Sequence, residues 1–329
     1  TKEKISIKEV LTELAPFGLL LAAIQSFSVI VSSLDRLILG YLSNPAEAAK
    51  LVATYSIATN LATVLMLFGI AIGNIFVPMI SRLAGENKLP EMRAVMETAQ
   101  RWTLFLTLPA AAVMITFSQE ILTIFYTSTY RSGALTMGIF TLGMVVLSIG
   151  YVTSLAIIAV RKIRIELYIT VASAVINFIL NLLLIPYFGM EGAALAGLIG
   201  FVITTMMLNE YGMRLFTFKL PKETYKLLAA FIIVTGILIM AKPLFIGVSS
   251  FIPTVGQETW MGPYLTKIFY LTYLGIVMVL TMTAFFLGAL WMKCFKGEDS
   301  ALTKKILRRI RMPEWAIVLA SRIMDMGIA

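Results

Sequence analysis

Long apolar runs separated by short charged segments constrain this chain more than any other feature. The runs cover roughly 14–40, 51–79, 102–126, 135–160, 165–186, 191–213, 226–247 and 264–292. About 20 mostly apolar residues span a bilayer as a helix, and each run meets that length. With 59% hydrophobic and only 14% charged residues, a single water-soluble core could not bury so much apolar surface; soluble domains are about a quarter charged. The expected fold is an all-α polytopic membrane protein with about eight transmembrane helices.

The basic residues divide between alternate connecting segments. Of 27 Lys and Arg, 22 fall on one set, which includes both chain ends. Four, Lys50, Arg131, Lys242 and Lys267, fall on the other, and Arg36 sits within a span. Cytoplasmic loops carry the Lys/Arg excess, so the split predicts a multi-pass protein of the cell membrane with both termini cytoplasmic. The net charge of +9 is then a topology signal, and no nucleic-acid partner is expected. Trp102, Trp291, Trp260 and Tyr264 fall at span ends, where amphipathic rings prefer to lie.

The chain has no histidine and one cysteine. That excludes disulfide frameworks, Cys/His zinc sites and His-based catalysis. No metal site or cofactor is expected. Cys294, beside Lys293 and Lys296, reads as an interfacial thiol, with palmitoylation as the alternative. Residue 1 is Thr, which predicts a fragment or a trimmed N-terminus.

Between the fifth and sixth runs the sequence LNLLLIPYFGMEGAALAGLIG turns at Pro186 and Gly189 and restarts with Gly192, Ala193, Ala196, Gly197 and Gly200. Proline ends a helix by removing an N–H, and glycine adopts left-handed backbone. Small residues four apart let helices approach closely in lipid. The stretch predicts a tight antiparallel pair, with the small residues as scaffold. Gly69 and Gly73 read the same way.

Polar residues inside spans are costly and face a bundle interior or a wet cavity. Gln25, Ser28, Ser32 and Asp35 share one face of the first run, with Arg36 beside it. Ser56, Asn60 and Thr63 share a face of the second, where Asn74 lies deeper. Thr170, Ser173, Asn177 and Asn181 line the fifth. The candidate cavity residues are Arg36, Asp35, Gln25, Ser28, Ser32, Asn60, Asn177 and Asn181. The alternatives are interhelical hydrogen bonds and, for Asp35 and Arg36, a pair reaching the headgroups. As a site, Arg36 would draw an anionic phosphate, since its planar fork donates two hydrogen bonds, and Asp35 would hold it or couple to an ion. H⁺ or Na⁺ coupling needs an intramembrane carboxylate; Asp35 and Glu120 are the candidates, Glu210 lying too near the cytoplasmic end.

Residues 300–312, SALTKKILRRIRM, place Leu302, Ile306 and Ile310 between basic residues, as in a helix lying on an anionic membrane surface. Segment 84–100 is a second cytoplasmic amphipathic candidate, with Leu89, Met92, Val95 and Met96 on one side.

Four stretches carry a family resemblance: SSLDRLILGYLSNPAEAAKLVATYSIATNL, IFVPMISRLAGEN, ILTIFYTSTYRSGA and NFILNLLLIPYFGMEGAALAG. They resemble the C-terminal half of polysaccharide flippases, the O-antigen and teichuronic-type exporters of the multidrug/oligosaccharidyl-lipid/polysaccharide superfamily. The similarity is close over about 8–215 and loose beyond. It implies a second six-helix lobe over 1–215, two additional helices over 216–292 and a basic amphipathic tail over 293–329. It further implies alternating access, no covalent chemistry, and translocation of a polyprenyl-phosphate-linked oligosaccharide across the cytoplasmic membrane. One lobe cannot enclose a two-lobe cavity, so a missing N-terminal lobe or a partner is expected, besides the lipid-linked glycan and membrane lipid. Two other readings stay open. One is an ion-coupled multidrug exporter of the same superfamily. The other is an integral membrane glycosyltransferase, for which only Glu258 and Glu47 offer external acids, with no Asp-x-Asp pair.

Overall fold

The computed structural model describes residues 7–216, 222–250 and 262–294, with Glu314, Val318 and Arg322. The tail helix expected at 300–312 and most of the 248–263 connection lie outside the described residues. What is described is helical: α1 (Ile7–Leu42), α2 (Pro45–Thr63), α3 (Met66–Gly85), α4 (Leu89–Thr116), α5 (Ser118–Phe125), a 3-10 turn (Ser128–Gly133), α6 (Ala134–Ala159), α7 (Ile163–Phe216), α8 (Lys222–Ser250) and α9 (Gly262–Trp291).

α7 runs for 54 residues, about 80 Å at 1.5 Å per residue, far more than a hydrocarbon core of about 30 Å. It reverses at Gly189, whose backbone (φ 55°, ψ −130°) is left-handed and open to glycine. The two halves then pack antiparallel. Gly192 lies against the Leu184 carbonyl, Gly200 against the Asn177 side chain, and Thr204 bonds Ser173 at 2.8 Å. The quoted turn is therefore where sequence placed it, with Pro186 one turn inside the helix end. α2 and α3 form one crossing, because both follow α6: Gly133 meets Thr54, Gly69 meets Tyr151 and Gly73 meets Leu155. The chain is an all-α polytopic membrane protein, and among the described residues, with α7 divided and the bent α4–α5 pair taken as one, eight segments are long and apolar enough to cross a bilayer.

The basic turns share one closing device. Asn87, Arg161 and Lys293 adopt positive φ. In each case the next N–H reaches five residues back: Lys88 to Leu83, Lys162 to Ile157, Cys294 to Ala289. This is the Schellman closure, which satisfies the last carbonyls of a helix.

Two expectations are corrected. The third span was placed at 102–126. The helix instead begins at Leu89 and breaks at Phe117, beyond which α5 turns away by 82°. Segment 84–100 is not a separate surface helix. Met92 and Met96 are fully buried against Phe76, Ile80, Leu83 and Ile157. An amphipathic face can meet a membrane surface or another helix, and here it meets α3 and α6.

Packing rests on small residues, as expected in lipid, where apolar side chains gain little by leaving the tails. α6 runs parallel to the second half of α7. Gly197 takes the Phe140 ring, Gly143 the Phe201 ring, and Gly150 the Thr205 backbone. α8 and α9 pack on each other and on α4. Their outer faces, with Ile232, Met240 and Val279, are exposed. Cys294 is buried in the core, and burial pushes its thiol above the ordinary range; it is not presented for lipid attachment.

Candidate functional site

The polar hub lies where α1, α2 and the first half of α7 meet, about two helical turns from the Gly189 reversal. Asp35 is 6% exposed. Its Oδ2 accepts from the Tyr55 hydroxyl at 3.0 Å, and its Oδ1 from Asn181 Nδ2 at 2.6 Å. The same amide also donates to Asn177 Oδ1 at 2.9 Å. Residues 177 and 181 are one turn apart, which lets the two amides bond each other while Asn181 also reaches α1. Gly200 opposite Asn177 leaves room for that side chain.

Arg36 points elsewhere. Its Nη2 donates to Asn60 Oδ1 at 3.2 Å, and its Nε is buried without a hydrogen-bond partner. Asn60 is exposed on α2. The guanidinium is thus steered by one amide and retains donors for an anion, while Asp35 is held by neutral groups on two other helices.

The other candidates are placed differently. Gln25 is exposed, ten residues from Asp35 and so about 15 Å along the helix. Ser28 donates to its own helix at Ile24. The Ser32 side chain lies outside the described residues. Of the first-run stripe, Asp35 is the residue placed in the hub. Ser173 accepts from Thr204, and Thr63 donates to Thr59. Glu210 pairs with Arg214 at 2.8 Å at the opposite end of the bundle.

Glu120 meets a cation. Lys242 of α8 reaches Glu120 Oε2 at 3.1 Å and the Thr116 carbonyl at 2.7 Å, above the Phe117 ring. The helix break frees that carbonyl, and a cation at a helix C-terminus is favourable. Lys242 therefore fastens the α8–α9 pair to the α4–α5 corner.

Sequence reasoning missed Tyr55, which is 2% exposed and supplies a hydrogen bond to Asp35. The signal was a phenol inside a membrane helix, which needs a partner when buried. It also missed Glu166, buried at the basic end, where one oxygen accepts from Ser154 at 2.7 Å and the other is unpaired.

Among the described residues no group of three His, Cys, Asp or Glu could hold a metal. Asp35 is met by an N–H and an O–H donor, and Asn177 Oδ1 is taken by the Asn181 amide, so the hub is a carboxylate held by donors. Chemically the hub offers one buried carboxylate that can take a proton, and Arg36 keeps donors for an anion.

The chain is similar to several known proteins. The chain is 26% identical over 238 residues to the probable low-salt glycan biosynthesis flippase Agl15 of Haloferax volcanii, covering 71% of this chain and 48% of that protein. It is 22% identical over 254 residues to the probable lipid II flippase MurJ of Rhizobium tropici, covering 74% and 45%. A solved structure of lipid II flippase MurJ, in an inward closed conformation, superposes with a TM-score of 0.55 at 17% identity over 87% of this chain and 56% of that one. The fold is therefore shared, and the chain spans about half the length of the curated relatives it matches. Residues 19–264 match the family model described as lipid II flippase MurJ, and on that match the chain belongs to the MurJ family of lipid II flippases.

Proposed function

We propose that this chain is part of a flippase that moves a polyprenyl-phosphate-linked oligosaccharide across the cell membrane. The observation that carries this reading is the divergence at residues 35 and 36. A guanidinium steered by Asn60 stands beside a carboxylate buried among neutral amides, inside a family of lipid-linked glycan carriers. Arg36 would take the phosphate, since arginine matches its geometry in a fork. The lipid tail would stay in the membrane while the sugar follows the polar side of α1 and α2, where Gln25, Ser28 and Asn60 lie. Coupling to H⁺ or Na⁺ would act at Asp35, because neutralising that carboxylate would weaken the Asn181 and Tyr55 hydrogen bonds that tie α1 to α7 and α2. No covalent chemistry is involved. Rocking of two lobes about a central site is the transporter solution this implies. The N-terminal lobe would come from a further segment or a partner, and both termini would face the cytoplasm.

Mass spectrometry of lipid co-purified in mild detergent tests the reading. A polyprenyl-phosphate-linked oligosaccharide is the expected result. Small cationic amphiphiles in its place would overturn it.

A further inference from the structure

At the basic end of the bundle, far from the hub, a cavity of about 390 Å³ opens between the two halves of α7. Its floor and walls are Ile165, Ile169, Ala172 and Met207, with Tyr168 and Tyr211 beside them. Glu210 and Arg214 stand at its rim. Tyr168 to Asn181 is 13 residues, or about 20 Å of helix, so this groove is separate from the hub.

The antiparallel register of α7 determines what flanks it. Ser173 faces Thr204 and Asn177 faces Gly200. One further helical stretch down, Arg164 comes level with Met213 and Arg214. Arg164 is also one turn before Tyr168 and two before Ala172, on the face that lines the groove. Two exposed arginines therefore stand at one level on either side of an apolar slot. Arg161 and Lys162 follow in the adjoining turn. Glu210 takes Nε and Nη2 of Arg214 at 3.0 and 2.8 Å. It is one exposed carboxylate between Arg164 and Arg214, and it leaves further Arg214 N–H groups for another acceptor.

The volume suits part of an acyl chain and lies at the low end for ligand sites. The charge suits a phosphodiester, and basic pockets between membrane helices bind anionic lipid headgroups. We propose that this groove is a binding site for an anionic phospholipid, with one acyl chain along Ile165, Ile169, Ala172 and Met207 and its phosphate between Arg164 and Arg214. A zwitterionic lipid would fill the slot equally well but would place its cationic group among the arginines. The proposal does not depend on what the protein carries, since it concerns the lipid that surrounds the molecule.

Native mass spectrometry of the 329-residue chain, released from detergent containing equal phosphatidylglycerol and phosphatidylcholine, tests it. Phosphatidylglycerol should be the retained lipid. Arg164→Ala and Arg214→Ala should each lower the ratio of the two retained lipids about fivefold, the worth of one basic residue near the surface. Arg164→Lys should restore part of the loss. Ala172→Trp fills the slot without altering charge and should reduce retention of both lipids. Arg164→Gln gives the same charge reading as the alanine if that variant aggregates. An unchanged ratio in the double arginine variant overturns the proposal. With polyprenyl phosphate added to the same mixture, a wild-type preference for it over phosphatidylglycerol that Ala172→Trp abolishes also overturns the proposal, since the groove would then belong to the cargo.

Discussion

Asp35 and Arg36 are sequence neighbours that do not pair with each other in a salt bridge. Asp35 turns inward to Tyr55 and Asn181, and Arg36 turns along α2 to Asn60. Successive helical residues are about 100° apart, so adjacent opposite charges serve different faces. The carboxylate ties α1 to α7, and the guanidinium ties α1 to α2.

Asp35 therefore has two separable duties. Asp35→Ala leaves the Tyr55 hydroxyl and one Asn181 N–H unpaired in a buried site, at a cost of about 1–3 kcal/mol. A lower melting temperature in detergent is expected. Asp35→Asn keeps the shape and removes the charge. It should fold as well as the parent yet lose glycan export in cells; full export by this variant would mean that the charge at 35 has no role in transport.

Arg36→Ala should reduce glycan export while membrane abundance stays constant. Arg36→Lys should recover little, because an ammonium lacks the planar fork. Unchanged export in the alanine variant would remove Arg36 from the site.

The α7 reversal should be intolerant of added volume at one glycine above others. A Cβ at Gly192 would strike the Leu184 backbone, which cannot move aside as a side chain can. Gly197→Leu meets the Phe140 ring instead, at 3.2 Å already for its Cβ. Overpacking costs about 1–3 kcal/mol, so both variants should lower abundance, Gly192→Ala despite its smaller size. Normal levels of Gly192→Ala, measured by immunoblot of membranes, would contradict the packing described.

The α4–α5 corner predicts an asymmetric response. Lys242→Met leaves both Glu120 and the Thr116 carbonyl without their cation. Glu120→Gln leaves Lys242 with the carbonyl and the Phe117 ring. Removing one partner of a fully buried pair costs about 3–5 kcal/mol. These side chains are one-fifth exposed, so a loss of about 1–3 kcal/mol is expected for Lys242→Met and clearly less for Glu120→Gln. Equal melting temperatures for the two variants would show that the carbonyl contact adds nothing.

Several of these relationships were legible in the residues. The Gly189 turn was, because only a few backbone states reverse a helix so quickly and glycine signals them. The small-residue rows of α7 were, because lipid leaves few other ways to pack. The break at Phe117 was not, since no proline or glycine marks it and the capping cation comes from a residue over a hundred positions away. Met92 and Met96 showed a helical apolar face, but periodicity does not say whether that face meets lipid headgroups or another helix.

By itself, then, the sequence determined that the chain is a polytopic membrane protein, with about eight runs long and apolar enough to cross a bilayer, and that it reverses at Gly189. Those properties follow from local hydropathy, charge and backbone preference. Only the tertiary structure decided which polar residues meet. Asp35, Tyr55 and Asn181 lie on three helices, up to 146 positions apart, and hydrogen bonds act over about 3 Å, so their union depends on how the helices pack and in what register.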